Sequence, residues 1–161
     1  MPLESVKRNA HYILIPLFYI MVAAAGRLFT AEGVSEWYPT LVKPGYTPPG
    51  SFIGAMWSVI YVLTGLSFIL YINASRGGRP PWPAAGVYVL NGIINAAWSY
   101  IFFTRHMVGL AVADALLIWL TVLLIMVLAW PRSRASGLLL IPYLVWTAFA
   151  TFLNYEIYRL N

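Results

Sequence analysis

Charged residues in this chain are spaced so as to leave long gaps. No Asp, Glu, Lys or Arg occurs in 9–26, 51–75, 80–104 or 135–155, and 106–131 holds a single one, Asp114. The hydrocarbon core of a bilayer asks for about 20 consecutive, mostly apolar residues per helix. The gaps therefore predict five spanning helices, over roughly 11–29, 51–73, 83–104, 107–130 and 137–159. The windows do not alternate apolar and polar residues with period two, so the strands of a membrane barrel are excluded. The expected fold is an all-α integral membrane protein, a five-transmembrane-helix bundle forming one membrane domain over 1–161.

Composition supports this reading. Hydrophobic residues make up 61% and charged residues 9% of the chain, against about 25% charged in an average soluble domain. Too few charges are present to cover a soluble surface or to keep a chain disordered. Cys is absent, which excludes disulfides, thiolate metal sites and cysteine nucleophiles. The net charge of +5 reads in a membrane protein as a topology signal rather than a nucleic-acid patch.

The first window has a basic start, Lys7 and Arg8, and ends in Ala23-Ala24-Ala25-Gly26, the outline of a secretory signal. Its apolar run has the length of a span, longer than a signal core, so it is read as a retained helix. Residues 27–50 form the one long loop, with Pro44, Gly45, Pro48, Pro49 and Gly50 breaking any helix near its end. Lys7, Arg8, Arg76, Arg79, Arg132 and Arg134 fall on one membrane side, and Arg27, Lys43, Arg105 and Arg159 on the other. This bias favours a cytoplasmic N-terminus.

Polar side chains in hydrocarbon ask for a reason. In the third span Asn91, Asn95 and Trp98 share one helical face. They suit either the wall of an internal pocket or interhelical hydrogen bonds that hold the bundle together. Gly92 and Ala96 form a small-xxx-small pair on the next face, a contact for a second copy or for a neighbouring helix of the same chain. Asp114 is the one acid in a span, either functional or a structural carboxyl, protonated or accepting hydrogen bonds from a neighbouring helix or a loop. Trp57, Tyr61 and Thr64 in the second span and Tyr143, Trp146, Ala150, Leu153 and Asn154 in the fifth make aromatic stripes. Flat rings beside a few amides suit a planar apolar ligand. His11 and His106 have no metal-ligand spacing, and no catalytic arrangement of a conventional hydrolase or transferase is present. Leu153, Tyr155 and Arg159 fit the permissive L/V-x-Y-x-K/R sterol pattern, which also describes an ordinary helix end with an interfacial Tyr and a snorkelling Arg.

These pieces together resemble the translocator protein family, also called tryptophan-rich sensory proteins or peripheral-type benzodiazepine receptors. The resemblance runs from Trp37 to Asn161. It rests on Trp37-Tyr38 through Lys43-Pro44 and Pro48-Pro49-Gly50, on Trp57 with Tyr61, and on Asn95-Ala96-Ala97-Trp98 followed by Phe102-Phe103. Asp114, Pro142-Tyr143-Leu144-Val145-Trp146, and Phe149-Ala150 through Asn154-Tyr155 complete it. The resemblance implies a five-helix bundle, often a homodimer, whose pocket opens toward the helix 1–2 loop, with that loop as a lid. It implies a porphyrin such as protoporphyrin IX or haem as ligand rather than a required cofactor, with isoquinoline-type or sterol ligands (cholesterol) in some members. By position the ligand-binding residues would be Trp37, Pro48, Trp57, Asn91, Asn95, Trp98, Trp146, Ala150 and Leu153. Animal members tend to carry a longer amide where this chain has Asn91. Trp57 and Trp146 match tryptophans linked to light-dependent porphyrin breakdown in bacterial members, which makes them candidate catalytic residues. The implied functions are a sensor or regulator of tetrapyrrole and oxidative stress, a porphyrin-degrading activity, or a porphyrin or sterol transporter. The expected partners are membrane lipid, a porphyrin-type small molecule and a second copy of the chain, in a prokaryotic membrane, with no nucleic acid and no metal.

Overall fold

The computed structural model describes residues 9–75 and 81–161. All regular structure among them is helical: α1 (His11–Ser35), α2 (Gly50–Ala74), α3 (Trp82–Ser99), α4 (Val108–Ala129), α5 (Arg134–Leu139) and α6 (Ile141–Leu160). A 3₁₀ turn at Tyr38–Thr40 interrupts the α1–α2 loop. Five helical stretches are long and apolar enough to cross a membrane, with α5 and α6 together making the fifth. Their outward faces carry large apolar side chains, Ile13, Leu28 and Val145 among them. A bundle whose solvent is lipid tails presents such a surface.

Two boundaries differ from the sequence expectation. α1 continues six residues beyond the predicted 29, to Ser35. Arg27 and Glu32 mark where the apolar window ends, but a charged side chain does not stop a helical backbone. The chain breaks only before Tyr38-Pro39, where Pro39 has no N–H to give. The fifth span is split at Leu140 for a similar reason. Pro142 cannot donate to Leu138, and the Leu140 N–H turns to the Gly137 carbonyl at 3.1 Å. Ser133 caps α5, its side chain accepting the Ser136 N–H.

α3 ends in a π-helical turn, Tyr100–Thr104, in which the Arg105 N–H reaches back five residues to the Tyr100 carbonyl at 2.9 Å. The wider turn rotates the aromatic side chains that follow Trp98. Phe102 stacks on Trp98 (ring centroids 5.0 Å apart), and His106 follows at a φ of 55°. That left-handed conformation is unfavourable for a residue with a Cβ. The stack of its ring on Trp37, centroids 4.1 Å apart, holds it there.

The helices form a ring. α4 packs along α3 and α6, α1 packs along α2 and α3, and α2 closes the circuit on α5. α2 meets α3 and α6 only lightly, and the space this leaves inside the ring positions the site. Small residues permit the close approaches. Gly92 faces α1, where an added Cβ would stand 2.6 Å from the Phe18 ring. Gly33 of α1 lies against the Phe103 carbonyl of the π turn. The Gly92 face is thus occupied by packing within the chain, the second of the two uses that the small-residue pair left open. At the other end of the bundle, Ser67, Tyr88 and Ser136 form a buried hydroxyl cluster with contacts of 2.6–3.1 Å, joining α2, α3 and α5.

Candidate functional site

The gap beside α2 is a cavity of about 1110 Å³. Trp57 and Tyr61 of α2, Asn95 and Trp98 of α3, and Trp146, Ala150 and Leu153 of α6 all line it. Six of the residues inferred from the resemblance therefore share one wall: Trp57, Asn95, Trp98, Trp146, Ala150 and Leu153. Their convergence follows from helix geometry. Trp57 and Tyr61 are one turn apart on α2, and Trp146, Ala150 and Leu153 recur at helical spacing on α6, so each stripe faces inward as a unit.

Three expected wall residues lie elsewhere. Trp37 is taken up by its stack on His106 and an edge contact with Phe102, centroids 5.3 Å apart. Tyr38 is the loop residue that reaches the wall, and Pro48 stays off it. Asn91 is buried away from the cavity between α3, α4 and α6. Its amide donates to Thr121 Oγ1 at 2.8 Å, and its oxygen accepts the Tyr143 hydroxyl at 2.9 Å. Of the two roles open for the amide stripe, Asn91 performs the second. Asn95 performs both, because it lines the cavity while accepting the Tyr61 hydroxyl at 2.7 Å and donating to Tyr143 Oη at 2.9 Å. The result is a directed relay, Tyr61 to Asn95 to Tyr143 to Asn91 to Thr121, in which each buried polar group has a partner.

The sterol-pattern residues divide between two faces: Tyr155 and Arg159 share one, with the guanidinium 5.9 Å from the ring centroid, and Leu153 is on the other. Leu153 points into the cavity, Tyr155 is exposed, and Arg159 pairs with Glu156 at 3.1 Å. Leu153 and Tyr155 are two residues apart on a helix, which turns them to roughly opposite sides.

Most polar groups around the cavity are spent on the protein itself. The Trp98 indole N–H donates to Asn154 Oδ1 at 2.9 Å. Two buried atoms of lining residues, Trp146 Nε1 and Tyr19 Oη, have no hydrogen-bond partner among the described residues, and packing closes both off from the cavity itself. Asp114 Oδ2 is likewise buried without a partner, which leaves both the functional reading and the protonated structural carboxyl open. Sequence reasoning passed over Tyr19 because one tyrosine in an apolar helix carries no periodic signal.

The loop covers one end of the bundle. Lys43 Nζ donates to the Tyr38 and Leu41 carbonyls, both at 2.8 Å. Asn161 exchanges two hydrogen bonds with the Val42 backbone, each 3.0 Å. Burial pushes the Tyr38 phenol above its ordinary pKa, so it stays protonated at the rim. The cavity also opens sideways. Ile20 of α1 and Val62 and Leu66 of α2 line it and are exposed on the lipid-facing surface.

Comparison with known proteins agrees with this geometry. The sequence pattern of the TspO/MBR family matches residues 7–159. The chain belongs to the TspO/MBR family. It is 41% identical to the tryptophan-rich protein TspO of Bacillus cereus over 155 residues, 96% of this chain and 98% of that one. The tryptophan-rich sensory protein of Cereibacter sphaeroides is 30% identical, covering 90% of this chain and 91% of the relative. The human translocator protein is 32% identical, with 84% and 80% covered. Within the TspO/MBR family this chain is a multi-pass integral membrane protein, as its five apolar helices require.

Proposed function

We propose that this protein binds a planar, largely apolar tetrapyrrole of the porphyrin type in the α2–α3–α6 cavity, and that occupancy of the cavity is the signal it senses. One observation carries the reading: three indoles, Trp57, Trp98 and Trp146, line a single cavity. Large flat side chains suit a large flat ligand. The volume is at the upper end of ordinary ligand pockets, which run to about 1,000 Å³. The sensory role is suggested by the name of the Cereibacter relative. The α1–α2 loop, with Tyr38 at the rim, serves in this reading as the lid.

Titration with protoporphyrin IX in the dark, followed by tryptophan fluorescence, tests the proposal. Saturable quenching is expected. The joint substitution Trp57→Phe and Trp146→Phe should weaken binding about tenfold or more while the helical content stays unchanged. Unaltered affinity in that variant would place the ligand elsewhere.

A second reading, photo-oxidative turnover of the bound ring, is favoured by both Trp57 and Trp146 lying on the wall. Illumination of the saturated complex separates the two. A new absorption band that the double variant lacks supports turnover, whereas bleaching at the rate of free porphyrin supports sensing alone.

A further inference from the structure

We infer that Arg27 is the anion anchor of the cavity and selects ligands whose apolar ring body carries a carboxylate. The inference rests on the ring-binding reading above and adds the second half of the ligand's chemistry.

Among the described residues, Arg27 is the one charged side chain on the cavity wall, and no Asp or Glu lines it. It stands on α1 with Gly26, Thr30 and Ala31, which line the same wall. The ion pair formed among the described residues is Arg159 with Glu156, at the far end of the chain. Glu32 and Glu36 on and just after α1 do not reach Arg27, and no described residue hydrogen-bonds to it. Arg27 is exposed and stands at the end of the apolar window, where a guanidinium can reach headgroup level and water. Here the protein supplies no partner, and the group borders a cavity.

The position suits an amphipathic ligand. Arg27 lies eight residues before the end of α1, roughly 12 Å along the axis, on the side of the bundle where the loop and Tyr38 lie. Tyr19, eight residues earlier and therefore roughly 12 Å deeper, lines the same cavity. A ring body would rest among the indoles while its acid stays at the rim, within reach of water. Guanidinium and carboxylate match as a two-point fork, which an ammonium does not reproduce.

The test uses the full chain in nanodiscs of zwitterionic lipid and two pairs of probes. These are protoporphyrin IX with its dimethyl ester, and pyrenebutyric acid with its methyl ester. Arg27→Gln should weaken both acids about tenfold or more, the loss of one charge-assisted hydrogen bond, and leave both esters unchanged. Arg27→Lys should fall between. Acid affinities that Arg27→Gln does not move, or acids and esters that weaken alike, overturn the anchor. If Arg27 instead holds a lipid phosphate, neither acid nor ester binding moves, and only the anionic lipid retained through purification falls. Acid selectivity seen with the pyrene pair but no porphyrin binding keeps the anchor and ends the tetrapyrrole reading. Porphyrin bound equally as acid and ester does the reverse. Failure of every probe to saturate ends both.

Discussion

The Tyr143 hydroxyl stands between two amides, accepting from Asn95 and donating to Asn91. Tyr143→Phe therefore leaves two buried groups unpaired. Interhelical hydrogen bonds in membranes are worth about 0.6 kcal/mol on average, and an orphaned buried group costs about 1–3 kcal/mol. A loss of about 1 kcal/mol is expected, read as a lower midpoint of thermal unfolding in detergent. The two indoles across the cavity should behave differently from each other. Trp98→Phe breaks the bond to Asn154 and should cost about 1 kcal/mol of stability. Trp146→Phe breaks no bond within the protein, so its unfolding midpoint should move less than that of Trp98→Phe, while porphyrin affinity drops. Unfolding curves and ligand titrations on the same two variants check both halves.

At the scale of elements, the contact between α1 and the π turn decides the mouth of the cavity. Gly33 meets a backbone carbonyl, that of Phe103, which cannot rotate away. Gly33→Ala should cost about 1–3 kcal/mol by overpacking, and should displace the part of α1 that carries Arg27. Gly86 in α3 has open space around its added Cβ. Gly86→Ala should gain about 0.5–1 kcal/mol, the ordinary helix preference of Ala over Gly. Opposite shifts of the two unfolding midpoints are the expected result. Equal shifts would mean that the α1 approach is looser than the geometry says.

At the scale of the whole molecule, an odd number of spans sends the two ends of the chain to opposite sides of the membrane. Reporter fusions at the N- and C-termini should therefore give opposite signals, and matching signals would contradict five spans. The Lys/Arg bias leads us to expect the N-terminal reporter in the cytoplasm. Lys7, Arg8, Arg76 and Arg79, four of the residues that set this bias, lie outside the described residues, so the fold itself adds nothing to that expectation. The ring of helices adds a different point. With α2 attached lightly to α3 and α6, the cavity faces both the loop and, between α1 and α2, the lipid. The resemblance implied only the first of these openings.

The spans were legible in the sequence because hydrocarbon is a uniform solvent that rejects charge at every point along a helix. A gap of about 20 residues between charges is a local property, and each predicted span has its helix. What ends a helix was less legible. α1 outran its apolar window because charge marks the edge of the membrane, whereas Pro39 marks the edge of the helix. The sequence and its family resemblance also supplied most of the wall, since stripes such as Trp57–Tyr61 and Trp146–Ala150–Leu153 turn as units. Only the tertiary structure separated Asn91 from Asn95. They lie one turn apart on the same face, yet one is spent on Thr121 and Tyr143 while the other also meets the cavity. That distinction depends on which helices stand opposite each turn. The same holds for Arg27: the sequence shows a charge at the end of an apolar run, and only the packing of α1 against α2 and α3 gives it a cavity to face.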